Sequence, residues 1–143
     1  MVKIQYASDL HLEFMENTLY LETHPLQPVA DILVLAGDTG YLDDEGFVKH
    51  PFWDWASENF KEVIVIPGNH EFYLGYDLEQ LYDGWCMEIR HNIKCYYNAV
   101  IHLSDDTDLI VSTLWGYIEP QDAFSTERRV NDFHRIKDCG VVI

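Results

Sequence analysis

Three branched apolar runs, each stopped abruptly by residues that bind cations, constrain this chain more than any other feature. Residues 2–7 run into Ser8-Asp9-Leu10-His11. Residues 31–36 (Asp-Ile-Leu-Val-Leu-Ala) run into Gly37-Asp38. Residues 61–67 contain Val63-Ile64-Val65-Ile66 and run through Pro67-Gly68 into Asn69-His70-Glu71. Runs this short and this rich in β-branched residues read as buried strands. Helical pattern lies between them, so they are expected to pair in parallel through crossover helices, in an α/β architecture. A parallel sheet places its strand ends side by side on one edge, where α/β proteins bind ligands.

The remaining elements follow from periodicity. Residues 46–60 set Phe47, Trp53, Trp55, Ala56 and Phe60 on a broad apolar face and predict one helix. Residues 77–91 set Leu78, Leu81, Tyr82, Trp85 and Ile89 at helical spacing, with Asp77 as N-cap and Gln80 at the reciprocal position, and predict another. Residues 93–97, 99–103 and 108–114 read as strands, with Ser104-Asp105-Asp106-Thr107 as a turn between the last two. Residues 119–124 read as loop and 125–136 as a moderately helical stretch. No repeat or linker divides the chain, and its 143 residues read as one domain.

The residues at the three strand ends suit divalent cations. Carboxylate and imidazole ligands accommodate zinc, manganese or iron. Asp9 and His11 are two apart, so in an extended segment they would point the same way. Asp38 has two oxygens with which to bridge a pair of ions, and Asn69 offers a neutral amide oxygen. Gly37 and Gly68 let the backbone turn tightly beside them. Two ions roughly 3.5–4 Å apart clamp a phosphate and acidify a bridging water. His70, beside such a pair, is placed to protonate a leaving oxygen or to stabilise phosphoryl charge.

Taken together, Ser8-Asp9-Leu10-His11, Ala36-Gly37-Asp38 and Pro67-Gly68-Asn69-His70-Glu71 resemble the first three motifs of the calcineurin-like metallophosphoesterases in order, spacing and strand context. The resemblance implies that Asp9 and His11 bind one metal, that Asp38 bridges, that Asn69 binds the second metal and that His70 is the catalytic histidine. Asn69 and His70 would also touch a small phosphoester substrate. Glu71 stands where the family has Asp or Glu and is not read as a ligand. The implied fold is a metallophosphoesterase-like β-sandwich flanked by helices, and the implied activity is metal-dependent hydrolysis of phosphate mono- or diesters. Family members continue with a later histidine and a Gly-His-x-His motif. Here the later histidines are His91, His102 and His134, none in that context. The match therefore corresponds to roughly the first half of a family domain, and the apolar stretch Gly140-Val141-Val142-Ile143 reads as a strand cut short. This leaves a second reading: a catalytically silent half-domain that binds metal weakly, self-associates through its unfinished core or takes the missing histidines from a partner chain.

Composition narrows the rest. Nine Lys and Arg face 25 Asp and Glu, a formal net charge of −16, which repels phosphate backbones and disfavours nucleic acid as a partner. Cys86, Cys95 and Cys139 are odd in number and form no CxxC pair, so reduced thiols in the cytoplasm are expected. No apolar stretch approaches the roughly 18 residues of a membrane span. His24, His50, His91 and His102 read as surface or satisfied residues. Residues 131–134 could reach the site from a later loop, although His134 reads as surface. Trp115 reads as aromatic core rather than pocket lining, and Glu127-Arg128-Arg129 as a solvated helix face.

Overall fold

In the computed structural model, which describes residues 1–42 and 44–142, the three apolar runs are neighbouring parallel strands. They are β1 (Ile4–Ala7), β2 (Ile32–Ala36) and β3 (Glu62–Ile66). Two further strands, β4 (Trp85–Arg90) and β5 (Ile93–Tyr97), complete the sheet. Its order is β1-β2-β3-β5-β4, with β5 parallel to β3 and β4 antiparallel to β5. Side chains alternate across the pleat. Leu33, Leu35, Val63, Val65, Ile93 and Cys95 face one side, where they meet Phe47, Trp53 and Ala56. Val34 and Ile64 face the other side and pack on the hairpin β6 (Ala99–Ser104) and β7 (Thr107–Val111) through Val111, Ile101 and Leu109. β2 and β3 are thus covered on both faces, which is why they read as unbroken apolar runs rather than alternating ones.

The predicted helix over 46–60 is two helices, α2 (Glu45–Lys49) and α3 (Pro51–Asn59). Pro51 has no N–H to continue the first, and its ring pushes His50 into extended backbone at φ −63°, ψ 134°. Pro51 then occupies the first turn of α3, where a missing N–H costs nothing. The apolar face survives the break. Trp53 is fully buried, its ring edge-on to Phe47 at 5.2 Å and to Phe52 at 5.3 Å. Its indole N–H donates to the Phe47 carbonyl at 2.5 Å. Burying such side chains contributes roughly 1.5–3 kcal/mol each.

Another helix, α1 (Met15–Thr23), precedes them in the chain and has no counterpart in the sequence reading. It buries no residue, so it carries no apolar stripe to detect. Polar bonds pin it: Asn17 Nδ2 donates to the Leu10 and His11 carbonyls, and Thr18 Oγ1 to that of Leu12.

The predicted helix over 77–91 is absent. Asp77 does cap, its side chain accepting from Glu79 N, but only a single 3-10 turn follows at Leu78–Gln80. Gly84 then adopts φ +82°, and the chain turns into β4. Trp85, Met87 and Ile89 are more buried than their neighbours Cys86 and Glu88, a period of two. Positions 85 and 89 satisfy both a helical and a strand template, and the pairing with β5 decides between them. The Asp105-Asp106 turn joins β6 to β7 as expected, Asp106 accepting from Ser104 and Thr107 hydroxyls. β7 stops at Val111 rather than 114. The stretch 125–136 holds α5 (Asp132–Arg135) and the end of α4 (Ala123–Glu127), which begins inside the segment read as loop over 119–124. The predicted C-terminal strand appears as β9 (Val141–Val142) paired with β8 (Lys137–Asp138), with Ile143 outside the described residues. All three cysteines are free.

Candidate metal centre

The loops that leave β1, β2 and β3 meet at one edge of the sheet and are stitched together by their backbones. Asp9 N donates to the Gly37 carbonyl at 3.0 Å, His11 N to that of Asp38 at 2.9 Å and Leu12 N to that of Thr39 at 2.8 Å. Asp9 and His11 are not extended, contrary to expectation. Their φ values are 57° and 47°, and Asp38 has φ 54°, all in the left-handed region that non-glycine residues occupy only under constraint. The consequence is convergence: Asp9, His11 and Asp38 bring one ligand atom each within 4.8 Å of one another. Two carboxylates and an imidazole at that spacing suit a borderline divalent cation.

Gly37 and Gly68 are required by closeness. A Cβ on Gly68 would lie 2.8 Å from Asp38 N, and one on Gly37 would lie 3.0 Å from Gly68 Cα. The β3 loop is held against the β2 loop by Glu71. This residue begins a 3-10 segment with its neighbour His70 (His70–Gly75) and is fully buried. Its Oε1 accepts from Thr39 N at 2.6 Å, while Oε2 accepts from Asp38 N at 2.9 Å and Gly68 N at 2.8 Å. Its carboxylate is occupied by these backbone N–H groups, and it fixes the loops that carry Asp38 and Asn69. Burial raises its carboxyl from 4.5 to about 7, against the lowering effect of the three N–H donors.

His70 sits beside the cluster. Its backbone N donates to Asp38 Oδ1 at 3.1 Å, and its ring stacks on Tyr73 with centroids 4.5 Å apart. Asn69 uses its amide nitrogen on Asp132 Oδ1 at 2.8 Å and on the Tyr73 hydroxyl at 3.3 Å, so its carbonyl oxygen is the atom left to face a cation. Tyr73 also donates to Asp132 at 2.7 Å, and burial together with Asp132 pushes its phenol up to about 12. A polar cavity of about 340 Å³ opens here, lined among others by Asp9, Asp38, Asn69, Thr113, Trp115 and Asp132. An apolar cavity of about 240 Å³ between α1 and α3 has none of these groups and offers no comparable chemistry.

The sequence reading missed one residue of this site. Glu13 Oε1 lies 3.0 Å from His11 Nδ1 and 3.2 Å from His70 Nδ1. Its signal was its place two residues after His11, repeating the step from Asp9 to His11. Asp132 is the member of the 131–134 stretch that reaches the site, while His134 is exposed as expected. Trp115 corrects the preference for core packing: it is 44% exposed, lines the cavity, and meets Phe72 at 5.8 Å. The other histidines lie elsewhere. His50 caps α3 by accepting from Phe52 N, His102 pairs with Asp108, and His24 and His91 are exposed. Glu127, Arg128 and Arg129 are solvated.

No helix among the described residues is long and apolar enough to cross a membrane. No solved structure matches the chain. A protein of Acanthamoeba polyphaga mimivirus, described as uncharacterized, is 29% identical over 153 residues, covering 94% of this chain and 51% of that protein. The chain therefore spans about half the length of this curated relative. The sequence profile of the calcineurin-like phosphoesterases matches residues 2–135, almost the whole of the chain and all three strand-end motifs. A parallel sheet whose loops gather carboxylates and histidines at one edge accords with that match: the chain belongs to the calcineurin-like phosphoesterase family.

Proposed function

We propose that this chain carries part of a two-metal site that hydrolyses phosphate mono- or diesters. In this reading Asp9 and His11 hold one cation, Asp38 bridges to a second, and Asn69 contributes its amide oxygen to the second. The observation that carries it is the convergence of Asp9, His11 and Asp38 ligand atoms within 4.8 Å, on backbone already bent to receive an ion. Manganese, iron or zinc, when bound, would clamp the phosphate and acidify water. The chain's own residues do the rest. Asp132 engages the Asn69 amide nitrogen and so leaves the amide oxygen available to a cation. His70, its backbone N–H bonded to Asp38, serves proton transfer or charge stabilisation at the phosphoryl group. The cavity's volume of about 340 Å³ is of the order of small-molecule sites and supports a small phosphoester as substrate, and the net charge of −16 opposes a nucleic-acid substrate. Three unpaired cysteines fit work in the cytoplasm. Purified protein should hydrolyse a chromogenic phosphodiester or monoester with added manganese, and Asp38→Ala should abolish it. Absence of turnover with manganese, iron and zinc alike would remove the activity from this chain.

A second reading, a silent partial domain, is favoured by exposed apolar strand faces. Tyr6 on β1 is 81% exposed and Ile110 on β7 is 78% exposed. Such surface finds a partner, either a second copy or a chain that supplies further ligands. Elemental analysis separates the readings: two ions per chain support the complete centre, and one or none, with a dimeric solution mass, supports the partial one.

A further inference from the structure

We propose that Glu13 is a positioning residue shared by both histidines of the site, holding His11 and His70 in one tautomer through a single carboxylate oxygen. The inference rests on the metal-centre reading for the roles of the two rings, but not for the contacts themselves. Glu13 Oε1 lies 3.0 Å from Nδ1 of His11 and 3.2 Å from Nδ1 of His70. The Glu13 side chain is only 4% exposed, while the two imidazoles keep 21% and 23%. Oε2 is buried and has no partner among the described residues. A buried carboxylate without donors is costly, so this one depends on the two imidazoles.

The chemistry then fixes the protons. Oε1 lies within hydrogen-bond distance of both Nδ1 atoms, and it accepts from both when each ring carries its proton on Nδ1. Nε2 is left on each ring as the atom for ligation at His11 and for proton transfer at His70. The rings lie edge to face with centroids 4.5 Å apart, so each packs against the other. Tyr73 stacks on His70 from another side. A carboxylate on the far nitrogen of a metal-binding histidine orients the ring and strengthens it as a ligand. Glu13 extends that arrangement to His70. Loss of Glu13 would therefore disturb cation binding and proton transfer together, although it touches neither substrate nor ion.

The test reads tautomers in metal-free protein by long-range ¹H–¹⁵N correlation of the imidazoles. Wild type should show His11 and His70 as Nδ1–H. Glu13→Ala should release both to Nε2–H, while Glu13→Gln, which keeps one carbonyl acceptor, should hold Nδ1–H. Manganese titration should give about 10–100-fold weaker binding for Glu13→Ala, with partial recovery in Glu13→Gln. Wild-type rings found as Nε2–H, as an Nδ1-ligated ion among His11, Glu13 and His70 would need, overturn the proposal. So do unchanged tautomers in Glu13→Ala. If that variant does not fold, Glu13→Gln decides: weaker manganese binding with Nδ1–H retained supports the proposal, and wild-type affinity overturns it. These readouts do not depend on turnover, so an inactive chain with the expected tautomers would sink the proposed activity and leave this inference standing.

Discussion

Replacing Glu71 by Gln tests which of two opposed effects governs the loop junction of this site. Three backbone N–H groups, from Asp38, Thr39 and Gly68, point at its carboxylate at 2.6–2.9 Å. Bonds to a charged acceptor contribute roughly 1.5–3 kcal/mol each, so together they favour the ionised form. Against them stands complete burial, which penalises a carboxylate by several kcal/mol. The balance is a carboxyl raised from 4.5 to about 7, so burial wins. A carboxyl whose native value lies above its unfolded value binds its proton more tightly when folded. Its contribution is complete below 4.5 and is lost as the pH rises through 7. Integrating between about pH 5 and about pH 8 gives a loss of about 2.5 kcal/mol from this group. Glutamine copies the shape of the protonated acid and does not titrate. Urea denaturation in EDTA should therefore show Glu71→Gln gaining about 2.5 kcal/mol on wild type across that window, a relative midpoint shift of about 1–2.5 M. A constant difference, or a variant that loses ground as the pH rises, would show that the three N–H bonds outweigh burial and refute the reasoning.

Other expectations follow from single contacts. Gly68→Ala puts a methyl group 2.8 Å from Asp38 N, so it should cost about 1–3 kcal/mol and weaken manganese binding; wild-type values in calorimetry would refute this. Asp132→Ala releases the Asn69 amide and the Tyr73 hydroxyl, and should weaken manganese binding by about 10–100-fold, with fluorescence or calorimetric titration as the check. His50 accepts from Phe52 N through Nδ1 and is therefore neutral in its capping role, and burial lowers its pKa below 6.5. Its contribution is full above 6.5 and is lost as the pH falls through the lowered native value, so His50→Asn, which caps without titrating there, should flatten this part of the acid limb in thermal melts.

The strand ends were legible because each is a local event. A branched run, a glycine and a ligand lie within a few residues, and β1, β2 and β3 needed only the parallel-sheet rule to come together. The helix boundary at His50-Pro51 was equally local, yet the aromatic face that crosses it hid the break. Residues 77–91 failed for a different reason. Trp85 and Ile89 are four apart, a spacing shared by both periods, and only pairing with β5 excludes the helix. α1 could not be seen at all, since Asn17 and Thr18 hold it by bonds to carbonyls that no hydrophobic pattern records. Asp132 lies 63 residues from Asn69, so only the folded chain shows their contact.

The three candidate ligand residues share a conformation that explains why the site needs such a frame. Asp9, His11 and Asp38 each have φ between 47° and 57°, where an L-residue gives up roughly 1–3 kcal/mol. No bound ion is needed to account for this. The backbone of Asp9 and His11 is bonded to that of Gly37 and Asp38, and Asp38 N and Gly68 N are both bonded to Glu71. The three residues are thus held by one another's backbone and by Gly37 and Glu71. A site arranged in this way loses little freedom when a cation arrives, because its ligand loops are already bent and tied. The same logic assigns the acids that surround it. On the proposed reading Asp9 and Asp38 offer oxygens to the ion, while the bonds of Glu71 run to backbone amides, those of Glu13 to two imidazoles, and those of Asp132 to the Asn69 amide nitrogen and the Tyr73 hydroxyl. On the proposed reading the partners of each carboxylate, more than its distance from the cavity, separate a candidate ligand from a residue that holds one in place.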